Sequence, residues 1–360
     1  MCGSTRQSNV LPDIGILIHF VITKSYQMRY RILNCSDDFL TLSLYFLQIY
    51  RKCYGEYVGF SMFFDDFLKS LLRKTELPDT QLLVNLGDWP LSSRKSSLIP
   101  LPIFSWCGSS DTYDLVMPTY EMTEAVLQAQ ARVSVDILGV LGQQRTAFET
   151  KTPKVFFRGR DSNRIRLLLI LYSKRTPELV DAAITNFFFF REPADLERYG
   201  PTVQHTSIYD FFDYKYLISI DGTVAAYRVP NLLAGSSLLL KQKSKYYEHF
   251  YHLLEPGKHL LELREDLTDF YDIIQRLLNS SATDHIPEST QMGIVREANQ
   301  IILDHVLPTN IYCYYFNLIT QYSKLLPHEN IQREEGDEHV LNSNQHCDCG
   351  ATKSQMKSEL

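Results

Sequence analysis

The sequence predicts an α/β protein built as two successive parallel-sheet units. Three observations lead there. Short apolar runs at 80–86 (TQLLVNL), 101–106 (LPIFSW), 155–157 (VFF), 214–222 (YKYLISIDG), 236–242 (SSLLLKQ) and 259–263 (HLLEL) alternate with helical stretches. Strands joined by crossover helices leave that alternation. A charged, turn-prone break at 148–153 (FETKTP) divides the series, with Pro153 as a breaker. The loops rich in acids and arginines follow strands, at the end where open α/β sheets bind ligands.

Each element has its own justification. Residues 57–72 (YVGFSMFFDDFLKSLL) place Phe60, Phe63, Phe64, Phe67 and Leu71 at helical spacing, which predicts an amphipathic helix with Asp65-Asp66 on its exposed edge. The strand 80–86 ends at Asp88, and 101–106 is followed by the loop Gly108-Ser109-Ser110. A helix is predicted from about Thr123 to Leu138. After the break, VFF is a strand, RGRDSNR (158–164) a turn, and 164–173 a helix. TVAAYRVPNLLAG (223–235) reads as a helix start with Thr223 as N-cap and Gly235 as stop. YYEHFYHLL (246–254) reads as a short helix, and further helices are predicted at 266–279, 288–304 and 309–325. The polar tail after 327 is predicted to be mobile. The resulting division is an irregular segment 1–48, a first domain 49–150, a second domain 151–326 with C-terminal helices, and the tail 327–360.

Composition narrows the function. The 360-residue chain is 44% hydrophobic and carries a formal net charge of −6, enough apolar content for one large or two medium domains. A grip on a nucleic-acid backbone normally requires a basic excess, so nucleic acid is not an expected partner. No run is long and apolar enough for a membrane span. The start, MCGSTRQSNVLPDIGILIHF, is a poor signal peptide. The seven cysteines are scattered, and Cys347-Asp348-Cys349 is too tight for zinc-knuckle spacing, so no metal is expected there. The final Lys357-Ser358-Glu359-Leu360 is close to the Lys-Asp-Glu-Leu retrieval signal. Asn34-Cys35-Ser36 and Asn279-Ser280-Ser281 fit the N-glycosylation triplet, which chance also produces.

Three loops carry candidate chemistry, each beside a plainer reading. In DGTVAAYR (221–228), Gly222 permits a tight turn, Ala225 and Ala226 leave the backbone approachable, and a helix start with Arg228 would attract an anion. The plain reading is a strand-to-helix turn facing the core. RGRDSNRIR (158–166) holds four arginines in nine residues, a guanidinium clamp for a diphosphate or a solvated helix start with Arg–Asp pairs. Asp88, between Gly87 and Trp89-Pro90, is a candidate general base or a turn aspartate capping local N–H groups. Tyr120, Glu248 and His249 are candidate ligand contacts that packing also explains. No Walker loop and no Asp-x-Asp pair after a strand are present.

Taken together, VNLGDWPL, IFSWCGSSDTYDLVMPTY, FFRGRDS, ELVDAAITNFFFF, DGTVAAYRVP and YYEHFYHLL resemble the protein O-glucosyltransferases of glycosyltransferase family 90, in particular the subgroup bearing retrieval signals at the C-terminus. The resemblance runs from about Ile49 to Leu326 and includes the tail. It implies a GT-B fold, two Rossmann-like domains facing across a cleft. It implies inverting, metal-independent transfer of glucose from UDP-glucose to serine in folded EGF-like repeats, in the lumen of the endoplasmic reticulum. No cofactor is implied beyond the UDP-glucose donor, and the implied partners are EGF-repeat proteins and the retrieval receptor. Asp88 matches the family's base. Arg160, Arg166, Thr223, Val224, Ala225, Ala226, Tyr227, Arg228 and Tyr120 match donor contacts. Tyr57, Gly59, Phe60 and Trp89 fall on the acceptor side. Residues 35–48 read as an insertion relative to the family, and the subgroup's upstream filamin-like domain has no counterpart in this chain. The alternatives are a UDP-xylose-dependent transferase of the same family and a non-catalytic EGF-repeat-binding protein.

Overall fold

In the computed structural model the described residues are 17–25, 46–54, 61–73, 75–95, 102–127, 132–142, 146–326 and 338–339. The chain divides into two compact units. The first comprises Met1–Trp106, Asp111–Met117 and Tyr312–Leu360, the second Cys107–Ser110 and Pro118–Ile311. These units do not follow the expected division at residue 150. Residues 118–150 belong with the second unit, and the chain from Tyr312 onward returns to the first.

The first unit contains a mixed sheet. Its strands are β1 (Leu17–Ser25), β2 (Phe46–Tyr54), β3 (Thr80–Asn85), β4 (Ile103–Ser105), β6 (Leu115–Val116) and β13 (Glu338–His339), after β5 (Gly108–Ser109) is assigned to the second unit. Their order is β13-β2-β1-β3-β4-β6. The pairs β3–β4 and β4–β6 are parallel, whereas β1 lies antiparallel to both β2 and β3. The N-terminal stretch expected to be irregular therefore supplies β1 and the beginning of β2, and the first sheet is only partly parallel.

Helix α1 (Ser61–Leu72) packs Phe64, Phe67, Leu68 and Leu71 into the core. The helical spacing placed Asp65 on an exposed edge, but it is 7% exposed while Asp66 faces solvent. The two residues are 100° apart on the helix, and only Asp66 lies on the wet side, pairing with Lys69 at 3.1 Å. The C-terminal helix, introduced below as α9, closes this core. Its Tyr315 ring lies 4.3 Å from Phe67, and Tyr322 meets Phe104 edge-on at 5.0 Å.

The second unit is fully parallel in its main sheet. Helices α2 (Tyr120–Leu127) and α3 (Arg132–Gly142) precede β7 (Thr152–Arg160), α4 (Arg164–Arg175), β8 (Val180–Asn186), α5 (Pro193–Tyr199) and β9 (Tyr214–Ser219). Then come α6 (Val229–Leu233), β10 (Leu238–Gln242), β11 (Tyr246–Tyr247), β12 (Leu261–Leu263), α7 (Phe270–Leu278) and α8 (Glu288–His305), before α9 (Pro308–Ser323), which from Tyr312 onward belongs to the first unit. The order β12-β10-β9-β7-β8 is the doubly wound arrangement in which the chain starts at one strand, moves outward once, then reverses. β7 and β9 flank the reversal. One face of this sheet is filled by Val155, Phe157, Ile184, Tyr216, Ile218, Leu238 and Leu240, packed with Leu169 of α4 and closed by Phe270 and Ile274 of α7, and the other face carries the buried Phe156, Leu217 and Leu239. Strands buried on both faces read as continuous apolar runs, which is why VFF and SSLLLKQ were legible.

Several local expectations are corrected. Pro153 lies inside β7, near its exposed start, where a missing N–H costs no ladder bond. Of the helix expected at 123–138, the described parts are helical, in α2 and α3, and 128–131 lie outside the described residues. Thr223 does not cap a helix: residues 223–225 form a bend, and α6 begins only at Val229 and runs for five residues. YYEHFYHLL forms no α-helix, and only Tyr251–Leu253 make a single 3-10 turn. Tyr246–Tyr247 instead pairs with Gly108–Ser109 as an antiparallel ribbon, because its aromatic density suits a strand as well as a helix. The expected mobile tail lies outside the described residues except for β13.

Candidate functional site

The Asp88 loop belongs to the first unit and is assembled by two buried polar residues. Asn85, the last residue of β3, is fully buried. Its Nδ2 donates to the Trp89 carbonyl at 2.7 Å and to Ser105 Oγ at 3.0 Å, and its Oδ1 accepts the Gly87 N–H at 2.9 Å. A Cβ on Gly87 would stand 3.3 Å from that same Oδ1, so glycine lets the chain fold tightly over the asparagine. Asp114 takes the far end of the loop. It accepts the N–H groups of Leu91 and Ser92 at 2.9 and 2.8 Å and the Ser105 hydroxyl at 2.6 Å. Burial pushes the Asp114 carboxyl up, and those hydrogen bonds pull it back.

Asp88 is thus held at the crest of a loop stapled at both ends. Residue 88 as a whole is exposed, yet partial desolvation of its carboxyl pushes the pKa above the ordinary carboxylate value. Trp89 beside it is 51% exposed. A carboxylate that is accessible and more basic than usual can accept a proton from an approaching hydroxyl. Tyr57, Gly59 and Phe60 lie outside the described residues.

The second unit brings most of the remaining candidates to its reversal point, between the ends of β7 and β9. Arg166, in the first turn of α4, is 4% exposed. Its Nε donates to the Asp221 carbonyl at 2.8 Å, Nη1 to the Arg160 carbonyl at 3.0 Å and Nη2 to the Ile220 carbonyl at 2.9 Å. One guanidinium therefore ties the two strand ends together, using three of its five N–H groups. Desolvation first, then the positive charge of Arg228, lower its pKa to about 9, against the pull of Asp221 and Asp161. Arg228 is also lowered by desolvation, opposed by Glu121. It donates to the Arg158 carbonyl, and both guanidinium carbons lie 5.6 Å from the centre of the Phe157 ring. Gly159 makes this crossing feasible. A Cβ there would meet Phe157 Cζ at 2.9 Å and Arg228 Nη2 at 3.0 Å.

Two desolvated cations of like sign, held side by side by carbonyls and a ring face, leave uncompensated positive charge that an anion would offset. The other arginines of the cluster act differently. Arg158 pairs with Asp181 at 2.7 Å, Arg164 lies over Phe190 at 4.5 Å, and Arg160 is exposed. The plain Arg–Asp reading thus describes Arg158, whereas Arg166 is the opposite of solvated.

The 223–228 segment is packed rather than open. Val224 and Ala225 are buried against Cys107, with Tyr227 and Tyr246 alongside, and Ala226 is buried too. Tyr227 meets Tyr120, the first residue of α2, edge-on at 5.6 Å. A cavity of about 590 Å³ opens at the carboxyl ends of the strands, lined by Asn163, Asp221, Gln242, Tyr246 and Asp266 among others. Gln242 anchors one wall, accepting the Asp221 N–H at 3.1 Å and donating to the Glu265 carbonyl at 2.6 Å. Glu248 and His249 are buried. Desolvation raises Glu248 to about 8 and lowers His249 to about 3, so both are neutral near pH 7.

Asn85, Asp114, Gly159 and Asp161 are the residues that sequence reasoning missed. Asn85 carried one signal, an asparagine ending an apolar run just before glycine. Asp114 carried none, since its loop partners Leu91 and Ser92 lie more than twenty residues upstream.

Comparison with known proteins accords with this geometry. The model of the family described as glycosyl transferase family 90 matches residues 36–360. The chain is 48% identical over 278 residues to protein O-glucosyltransferase 2 of Danio rerio, covering 77% of this chain and 54% of that protein. It is 43% identical over 278 residues to protein O-glucosyltransferase 3 of Homo sapiens, covering 77% and 53%. Protein O-glucosyltransferase 1 of Rattus norvegicus is 28% identical over 281 residues, covering 75% and 68%. The chain thus spans about half the length of the first two relatives. No helix among the described residues is long and apolar enough to cross a membrane. The chain belongs to glycosyl transferase family 90.

Proposed function

We propose that the protein is an inverting, metal-independent glycosyltransferase that moves glucose from UDP-glucose to serine hydroxyls of folded EGF-like repeats. The observation that carries the reading is the paired, desolvated Arg166 and Arg228 at the reversal point of a parallel sheet, where doubly wound sheets bind nucleotides. The relatives named protein O-glucosyltransferases support the donor sugar and the protein acceptor. The Lys357-Ser358-Glu359-Leu360 terminus supports residence in the lumen of the endoplasmic reticulum and capture by a retrieval receptor.

Each residue then has a role. The Asp88 carboxylate takes the serine proton as Oγ attacks the anomeric carbon. The new C–O bond forms as the bond to the UDP oxygen breaks on the opposite face, so one displacement inverts the centre and no sugar is held on the protein. Negative charge gathers on the departing diphosphate, and fixed cations in a dry site stabilise it there more than in the bound donor. Arg166 and Arg228 supply that charge. Arg160 is exposed at the same strand end, Thr223–Tyr227 shape the donor wall, and Tyr120 supports Tyr227. Trp89 lies on the acceptor side with Asp88.

The test is a transfer assay read by mass spectrometry, with a folded EGF-like module and UDP-glucose or UDP-xylose, beside an Asp88→Asn control. One hexose gained on serine, absent in the control, is expected. A pentose would change the donor. Absence of transfer from a folded chain that binds UDP would overturn the enzymatic reading.

A further inference from the structure

The loop after β8 carries an unusual load. Asn186 is followed by four phenylalanines, Phe187 to Phe190, and then Arg191. Phe187 and Phe190 are partly buried against the sheet core. Phe188 and Phe189 are 54% and 53% exposed, and their rings meet edge-on at 5.1 Å. Two adjacent large apolar rings in water are costly, and such patches mark binding surfaces more often than accidents.

The backbone beneath them is fixed by a dedicated device. Asp161, in the turn after β7, is fully buried. Its Oδ1 accepts the Phe188 N–H at 2.8 Å, and its Oδ2 accepts those of Phe189 and Phe190 at 2.8 and 2.7 Å. A carboxylate satisfied by three backbone donors holds a loop in one shape. The rings are therefore presented, already ordered, and their docking incurs little additional loop-ordering cost. Arginines surround them. Arg191 lies over Phe188 at 5.1 Å, Arg164 lies over Phe190 at 4.5 Å, and Arg160 is exposed on the neighbouring strand end. One acid, Glu192, adjoins in sequence. A mixed aromatic and guanidinium surface is the composition of protein-binding anchors.

We infer that Phe188 and Phe189, pinned by Asp161, form a docking edge for the protein acceptor, fitting a folded module that offers an apolar patch bordered by carboxylates. The inference rests on the proposed protein-directed transfer. The loop stands at the carboxyl end of the same parallel sheet as Arg166 and Arg228, one strand away from the reversal point. Asp161 belongs to the turn that begins the anion site and holds the loop that begins the docking edge, so the two are built on one support.

The experiment compares the full chain with F188S/F189S and F188Y/F189Y. It measures KM and kcat for a folded EGF-like module, the UDP dissociation constant, and direct binding of the module by surface plasmon resonance. Loss of a central aromatic pair is expected to raise KM and weaken module binding about tenfold or more. Both kcat and UDP affinity should hold, and the tyrosine pair should restore binding. Arg191→Glu should weaken an acidic module in the same way, which covers the case of a serine variant that folds poorly. KM and module binding unchanged in F188S/F189S would overturn the inference. So would a change in self-association without a change in module affinity, which would assign the patch to a second copy. If the wild-type chain binds the module but transfers nothing, the transferase reading fails, and the binding comparison still decides the docking edge.

Discussion

Replacing Asn85 by alanine tests the support of the Asp88 loop directly. The side chain is fully buried and makes three hydrogen bonds, to the Trp89 carbonyl, the Ser105 hydroxyl and the Gly87 N–H. Alanine removes all three. Ser105 keeps its bond to Asp114, so two backbone groups bear most of the loss. At about 1 kcal/mol net for each bond, with more for a buried group left unmatched, the first unit should lose about 2–3 kcal/mol. Both tryptophans, Trp89 and Trp106, lie in that unit. Urea unfolding followed by tryptophan fluorescence therefore reports the affected unit alone. Freed from its staple, the Asp88 loop should lose its fixed geometry, and kcat should fall about ten- to a hundredfold. UDP affinity should hold, because the residues proposed to bind the donor belong to the second unit. Asn85→Asp should do no better, since it keeps only the Gly87 acceptor and sets a second carboxylate against the Ser105 that Asp114 already engages. Stability within about 0.5 kcal/mol of wild type, with kcat unchanged, would refute the assignment.

Other outcomes follow from the same geometry. Arg166→Met should abolish UDP binding and cost about 3 kcal/mol in the second unit, one for each orphaned carbonyl, read by amide exchange in β7 and β9. Asp88→Asn should leave UDP affinity intact and remove transfer, and isothermal titration with UDP separates the two. The wild-type rate should fall with acid through a pKa above the ordinary aspartate value, because the base must be ionised and partial desolvation raises it. Glu248 shifts from 4.5 to about 8 on folding, so its contribution to stability is complete below the lower value and is lost as pH rises towards the upper one. Glu248→Gln, neutral throughout, should melt like wild type at about pH 5 and above it at about pH 9. Gly159→Ala should displace Arg228 and weaken UDP binding at a stability cost of about 1–3 kcal/mol, since its methyl group would meet the Phe157 ring at 2.9 Å.

Much of the second unit was legible because its strands are buried on both faces and its helices are long. VFF, SSLLLKQ and the stretches that became α4, α7 and α8 carry strong local signals. The first sheet was less legible, since β1 is an antiparallel strand with no helix to announce it. YYEHFYHLL misled because aromatic residues serve a short ribbon and a helix equally. In the site, an acid after a strand and arginines after another were visible. The supports were less visible: Asn85 bonds its near neighbours Gly87 and Trp89, while Asp114 and Asp161 bond backbone groups more than twenty residues away, and such bonds leave no periodicity in a sequence. The 223–228 segment showed the limit from the other side. Its small residues suggested an open approach, but Cys107 packs against them, a contact spanning more than a hundred residues.

The discontinuity of the first unit has a consequence for biosynthesis. The second unit is nearly contiguous, and all but Cys107–Ser110 of it runs from Pro118 to Ile311. It can collapse while the chain is still emerging from the ribosome. The unit bearing Asp88 cannot finish then, because its core awaits Tyr315 and Tyr322, which pack on Phe67 and Phe104. Its early strands must wait unsealed while Pro118–Ile311 is made, exposed to mispairing and to chaperones. The unit that carries Asp88 is then the last to mature, and a nascent chain that stalls before Tyr312 would hold a finished second unit beside an unsealed first one.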